Sequence, residues 1–130
     1  MKFIKVIAST FTIAMLTIGL SSCFCKANGT VKLPAADFDN QVSQGTVILD
    51  FFATWCPPCK KFGPVFKKAA ANHPDILFIK IDIDKYEDLM KKYNVRSMPT
   101  IIALKDGKRV KTTTGFMSNK KFENWINSIS

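Results

Sequence analysis

Val47-Ile48-Leu49-Asp50-Phe51-Phe52-Ala53-Thr54-Trp55-Cys56-Pro57-Pro58-Cys59 decides the architecture of this chain. Its first seven residues are an apolar run rich in Val, Ile and Phe, which reads as a buried strand. Pro57 and Pro58 suit the first turn of a helix, where the missing N–H is a donor that has no helical partner anyway. Cys56 is therefore expected at the seam between a strand end and a helix N-terminus. There the unpaired N–H groups and the helix dipole favour a thiolate. Cys59, three residues on, shares that helix face and is within reach. The pair reads as a redox dithiol.

Two other readings of the spacing are weaker. Half of a zinc site also looks like this, but such a site wants a second Cys pair or a His pair. The chain has one histidine, His73, and its remaining cysteines, Cys23 and Cys25, lie in a leader-like segment. No metal site is expected. A structural disulfide here would close a very small loop and stabilise the fold little.

The N-terminus follows its own pattern. Lys2 and Lys5 precede an uncharged apolar run, Val6 to Leu20, of 15 residues. A bilayer span takes about 20, so the run reads as the apolar part of a signal peptide. Leu20-Ser21-Ser22-Cys23 resembles a bacterial lipobox, in which Cys23 becomes the lipidated first residue. Ordinary cleavage after Ala27 competes with that reading, and an uncleaved anchor ranks third. Lipidation leaves Cys25 as an odd thiol near the membrane, whereas cleavage after Ala27 removes it. Residues 1–27 are thus read as a leader and 28–130 as one compact domain. On each alternative the domain is exported, periplasmic or membrane-anchored on the extracytoplasmic side, where disulfides persist.

Basic residues exceed acidic ones by nine in the full chain, and by seven without Lys2 and Lys5. They are scattered, with no long basic run and no interleaved aromatics, so nucleic acid is not an expected partner. Solvated helix faces are the plain reading of these lysines.

Along the domain, residues 29–33 suit a short edge strand and 34–42 a helix with Ala36, Phe38 and Val42 inward. Thr46–Ala53 is the central strand, and Pro57–Asn72 an amphipathic helix carrying Phe62, Val65, Phe66 and Ala69 at helical spacing, with a kink expected at Pro64. Residues 76–84 read as a strand and Tyr86–Tyr93 as a short helix. Asp106-Gly107 between Thr100–Leu104 and Arg109–Thr113 signals a two-residue hairpin. Ser118–Ile129 closes the chain as a helix capped by Ser118, with Phe122, Trp125, Ile126 and Ile129 as its apolar stripe. The order βαβαβαββα predicts an α/β domain, a mixed sheet with helices on both faces. His73 is expected at the surface, and Met90, Met98 and Met117 in packing roles.

Together these residues resemble the thioredoxin family over 29–130. Asp50 stands six residues before Cys56, Lys80 lies in the next strand, and Pro64 falls mid-helix. Met98-Pro99-Thr100 is similar to the family's cis-proline segment, 43 residues after Cys56, and Gly107 and Gly115 match its late glycines. The chain departs from the family pattern at the Pro57-Pro58 dipeptide, at Phe52 where a Trp is common, and at Ser97, where a Gly is frequent.

The resemblance implies a thioredoxin fold and a set of roles. Cys56 would be the exposed nucleophile, and the more buried Cys59 the resolving thiol of a Cys56–Cys59 redox disulfide. A carboxylate in an apolar strand is costly without a partner or a proton. For Asp50 the resemblance implies a place behind the dithiol, accepting the Cys59 proton with Lys80 as partner. The plainer reading of the residues alone is a strand end facing solvent, and the position before Phe51-Phe52 weighs against it. Pro99 would be cis and Met98 would pair with an extended substrate segment. Trp55, Pro57, Pro58 and Thr100 complete the substrate-binding surface.

The expected function is that of an exported thiol:disulfide oxidoreductase that reduces protein disulfides as a monomer without a cofactor. Such a reductase needs an electron source, read as a transmembrane thiol carrier. An oxidase or isomerase, and a non-catalytic binding or chaperone module on the same scaffold, remain as alternatives.

Overall fold

The computed structural model describes residues 31–32 and 37–129. The leader reading over 1–27 with Cys23 and Cys25, most of the expected strand over 29–33, and Ala36 lie outside them. The elements run β1 (Val31–Lys32), α1 (Phe38–Val42), β2 (Thr46–Phe52), α2 (Pro57–Asn72), β3 (Leu77–Asp82), α3 (Glu87–Lys92), β4 (Thr100–Lys105), β5 (Lys108–Thr114) and α4 (Asn119–Asn127). This is the expected order.

Five strands make one sheet in the order β1-β3-β2-β4-β5. The apolar run of β2 takes its centre, parallel to β3 and antiparallel to β4, which explains why it is buried on both faces. Alternate side chains of β2 serve opposite layers. Val47, Leu49 and Phe51 join Phe38 and Val42 of α1, with Leu89, Met90 and Tyr93 of the α3 region packed against them. Ile48 meets Phe62, Val65, Phe66 and Ala69 of α2 and Phe122 and Ile126 of α4. The second layer is built on rings: Phe62 and Phe122 meet edge to face at 5.0 Å, and Phe66 meets Phe78 in the same way at 5.2 Å. The fold is therefore a thioredoxin fold, a mixed sheet between two helical layers.

Element ends differ from expectation for local reasons. β3 stops at Asp82, two residues early, because Asp82 turns the chain: its Oδ1 accepts from the Asp84 N–H at 3.2 Å and its carbonyl from Lys85 and Tyr86. β2 ends at Phe52, whose carbonyl takes the last ladder bond from Ile83, and Ala53 belongs to the turn that follows. The first helix begins at Phe38, and its N-cap residue Asp37 makes no capping bond with its side chain. The last helix starts after Ser118, whose hydroxyl caps Lys121, and ends at Asn127, not Ile129. α2 runs unbroken through Pro64, which is exposed and costs the helix one backbone bond.

The hairpin is the one the Asp-Gly pair specifies. Asp106 and Gly107 have φ of 49° and 76°, the left-handed pair of a type I′ turn. The same turn is tied to the loop before β2, where the Gly45 N–H donates to Asp106 Oδ1 at 2.9 Å and the Asp106 N–H to the Gly45 carbonyl at 2.9 Å. β5 forms the outer edge and carries one extra residue, Val110, opposite the Ala103/Leu104 step. Lys108, Arg109 and Val110 are all exposed there.

Candidate active site

Cys56 occupies the N-cap of α2, with Pro57 and Pro58 as the first two helical residues. The chain reaches this point through a turn in which the Cys56 N–H bonds the Ala53 carbonyl at 3.3 Å. The Cys56 sulfur accepts from the Cys59 N–H at 3.3 Å, and the two cysteines form a disulfide with their Cα atoms 5.3 Å apart. The helix terminus thus aims an otherwise unpaired donor at Cys56 Sγ, where it stabilises negative charge on that sulfur. Cys56 was expected to be exposed, and the structure corrects this: in the disulfide form it is 4% exposed, as covered as Cys59 at 3%. The N-cap position draws its sulfur over the helix end while its neighbours Trp55 and Pro57 face solvent.

Asp50 and Lys80 are register partners across β2 and β3. Lys80 Nζ donates to Asp50 Oδ2 at 3.0 Å, and Asp50 is 1% exposed, so it is no solvent-facing strand end. Burial pushes the Asp50 carboxyl above the usual carboxylate range, and the Lys80 charge and hydrogen bond pull it part of the way back. Its second oxygen, Oδ1, is buried and bonds no protein atom among the described residues. Lys80 also lies 4.4 Å from the centre of the Phe52 ring, so Phe52 supplies an aromatic face to the pair.

Met98–Pro99 is a cis peptide, as expected. Pro99 is buried and its carbonyl accepts from the Gly115 N–H at 2.8 Å. Thr100 is buried and its hydroxyl donates across the bend to the Ser97 carbonyl at 2.6 Å. Met98 packs against the apolar cluster that contains both cysteines. Its backbone N–H and carbonyl bond no other group among the described residues.

Trp55 is 61% exposed, yet its position is fixed: indole Nε1 donates to Asp84 Oδ2 at 3.0 Å. Sequence reasoning did not single out Asp84, and only the Asp82-Ile83-Asp84 cluster at the strand end hinted at it. It also missed the partner of His73. That ring is half-buried at the end of α2, with Nε2 2.7 Å from Glu123 Oε2, so it joins α2 to α4 instead of lying free at the surface. Among the described residues no group of three His, Cys, Asp or Glu side chains could hold a metal ion, and no helix is long and apolar enough to cross a membrane.

The model of the Thioredoxin family matches residues 29–128. Thioredoxin-1 of Caenorhabditis elegans is 37% identical over 109 residues, covering 82% of this chain and 95% of that protein. The thioredoxin of Staphylococcus aureus is 45% identical over 89 residues, covering 66% of this chain and 84% of its own length. The crystal structure of Schistosoma mansoni thioredoxin superposes with a TM-score of 0.71 at 36% identity, over 79% of this chain and 97% of that one. A family match over almost the whole domain, a shared fold and a disulfide closed at a helix N-cap lead to one conclusion: this chain belongs to the thioredoxin family and is a thiol:disulfide oxidoreductase.

Proposed function

We propose that the chain is an exported protein-disulfide reductase. The observation that carries this reading is the Cys56–Cys59 disulfide at the N-cap of α2, with the Cys59 N–H directed at Cys56 Sγ. In the reduced enzyme the Cys56 thiolate attacks one sulfur of a substrate disulfide, forming a mixed disulfide and releasing the other substrate sulfur as a thiolate. Cys59 gives up its proton, becomes the second nucleophile and attacks Cys56 Sγ. The second substrate sulfur leaves, and two electrons have passed from the enzyme to the substrate. The disulfide described above is the oxidised product, and a thiol donor must reduce it again.

Asp50 is the proton acceptor in this scheme. Its burial and raised pKa support the role, because a carboxyl group that burial makes more basic takes up a proton more readily than an exposed one. The structure contains no direct bond from Asp50 to Cys59, so the proton passes through water at the unpartnered Oδ1. Lys80 limits the rise in the Asp50 pKa. The free backbone groups of Met98, beside the buried cis Pro99 and Thr100, take up an extended substrate segment by strand addition. Trp55, Pro57 and Pro58 border that segment.

The domain works as a monomer on the extracytoplasmic side of a membrane, with residues 1–27 as leader, Cys23 as the lipid attachment point and a transmembrane thiol carrier as donor. Reduction of insulin disulfides by the wild type, abolished in Cys56→Ser, separates this enzyme from a non-catalytic scaffold. Rapid acid quench and thiol alkylation in growing cells tests direction. A mostly reduced pair is expected, and a mostly oxidised pair would favour an oxidase. Cys23→Ala should release the chain from the membrane fraction.

A further inference from the structure

Charge is divided unevenly between the two faces of this fold. The layer with α1 and α3 carries Asp37, Asp39, Glu87 and Asp88, and its lysines are matched: Lys91 pairs with Glu87 at 2.8 Å and Lys92 with Asp39 at 2.6 Å. The opposite layer carries Lys60, Lys61, Lys67 and Lys68 on α2 and Lys120 and Lys121 on α4, all exposed. None of the six takes part in an ion pair among the described residues. The single carboxylate on these two helices, Glu123, is already held by Asn72 and His73.

The lysines form a surface and not a line. Positions 60, 61, 67 and 68 repeat at seven-residue spacing, opposite the buried stripe of Phe62, Phe66 and Ala69. Lys60 and Lys68 are separated by about 12 Å along the axis, more than the screening length of about 8 Å in physiological salt, so the four lysines of α2 act as two adjacent pairs spread along one face. α4 packs beside α2 through Phe62, Phe66 and Phe122 and extends the same layer.

We infer that the outer face of α2 and α4 docks on an anionic lipid bilayer. Six ammonium groups outside any ion pair, against the engaged Glu123 and the exposed Asp75 just beyond α2, complement a negatively charged surface. The face has no arginine and no exposed ring, and so lacks the planar forks and stacking platforms with which proteins hold nucleic acids. Compact point charges on flexible stems match the diffuse charge of lipid headgroups. The choice of lipid over an acidic polypeptide rests on the membrane-side reading proposed above. Docked in this way, α2 lies along the membrane plane, and the disulfide at its N-terminus sits at the level of the headgroups, where a membrane-borne thiol donor presents its own sulfurs.

Vesicle sedimentation of residues 28–130 tests this. That segment holds both apolar clusters and the whole stretch, 29–128, that matches the family model, so it folds without the leader. The vesicles are phosphatidylcholine alone, or with about a third phosphatidylglycerol, at low and high salt. Binding is expected only to the mixed vesicles, weakening with salt. Each lysine near the surface contributes about 5-fold, so Lys67→Gln/Lys68→Gln/Lys120→Gln/Lys121→Gln should weaken binding at least about 100-fold. Lys85→Gln/Lys91→Gln/Lys105→Gln/Lys108→Gln removes as many charges elsewhere and should stay within a few-fold of wild type. Absence of binding to the mixed vesicles, equal loss in both variants, or binding to polyglutamate but to neither vesicle would each overturn the inference. Insulin reduction, measured on the same samples, reports folding and the proposed activity separately from docking.

Discussion

Asp50 and Lys80 face each other in register across β2 and β3 and share one 3.0 Å hydrogen bond, while the second Asp50 oxygen has no protein partner. The pair is half-satisfied, and burial outweighs the lysine in setting the proton affinity of the carboxyl. The folded state therefore keeps this proton to a higher pH than the unfolded chain does. Between the ordinary carboxylate pKa, about 3.9, and the raised folded value, the native state binds more protons, so stability falls as pH rises through that window. Asp50→Asn lacks this fall. In urea unfolding of the oxidised proteins, the variant's advantage over wild type should grow with pH and then level off. A difference that stays constant with pH would show that Lys80 offsets the burial in full. In disulfide reduction the same variant should be slowed more at neutral than at alkaline pH.

Trp55, in the turn before α2, is held by a residue from the turn after β3. Its indole bonds Asp84 at 3.0 Å on the exposed surface. Asp84→Ala should cost less than about 1 kcal/mol of stability, since an exposed hydrogen bond contributes little. Its larger effect should be on catalysis, through a loosened indole: KM for insulin should rise with kcat little changed. An unchanged KM would mean that the indole takes no part in holding substrate.

Phe122 is fully buried and touches Phe62, Phe66 and Trp125, so it joins α4 to α2. Phe122→Ala should cost about 3–5 kcal/mol in chemical denaturation. A loss under about 1 kcal/mol would mean that α4 is not part of the cooperative core.

Gly107 has φ of 76°, and a Cβ there would meet Ser43 Cα at 3.6 Å, which is ordinary contact. The cost of Gly107→Ala is therefore conformational, about 1–2 kcal/mol. The same denaturation series checks it. A neutral result would mean that the turn relaxes to another type.

The features that could be read in advance are those decided by neighbours in the chain. The strand–turn–helix seam at Cys56 follows from an apolar run, two prolines and the N-cap chemistry of the residue between them. The type I′ turn follows from Asp106-Gly107 alone. What escaped depends on residues brought together by folding. Asp84 reaches Trp55 across 29 positions and Glu123 reaches His73 across 50, and neither carboxylate stands out from other surface acids in the sequence. The early stop of β3 was hidden because Asp82-Ile83-Asp84 keeps a strand's alternation while Asp82 folds the backbone onto itself. The covering of Cys56 depends on the closed disulfide, which spacing predicts as a bond but not as a surface.

The outer edge of the sheet has a consequence for life at high local concentration. An unpaired strand invites a neighbouring molecule to continue the ladder, and repeated addition builds fibres. In β5 that invitation is withdrawn: Lys108 and Arg109 meet any approaching copy with like charge, and the extra residue at Val110 throws its backbone groups out of step. Edge-to-edge pairing of crowded copies is thereby disfavoured along this strand.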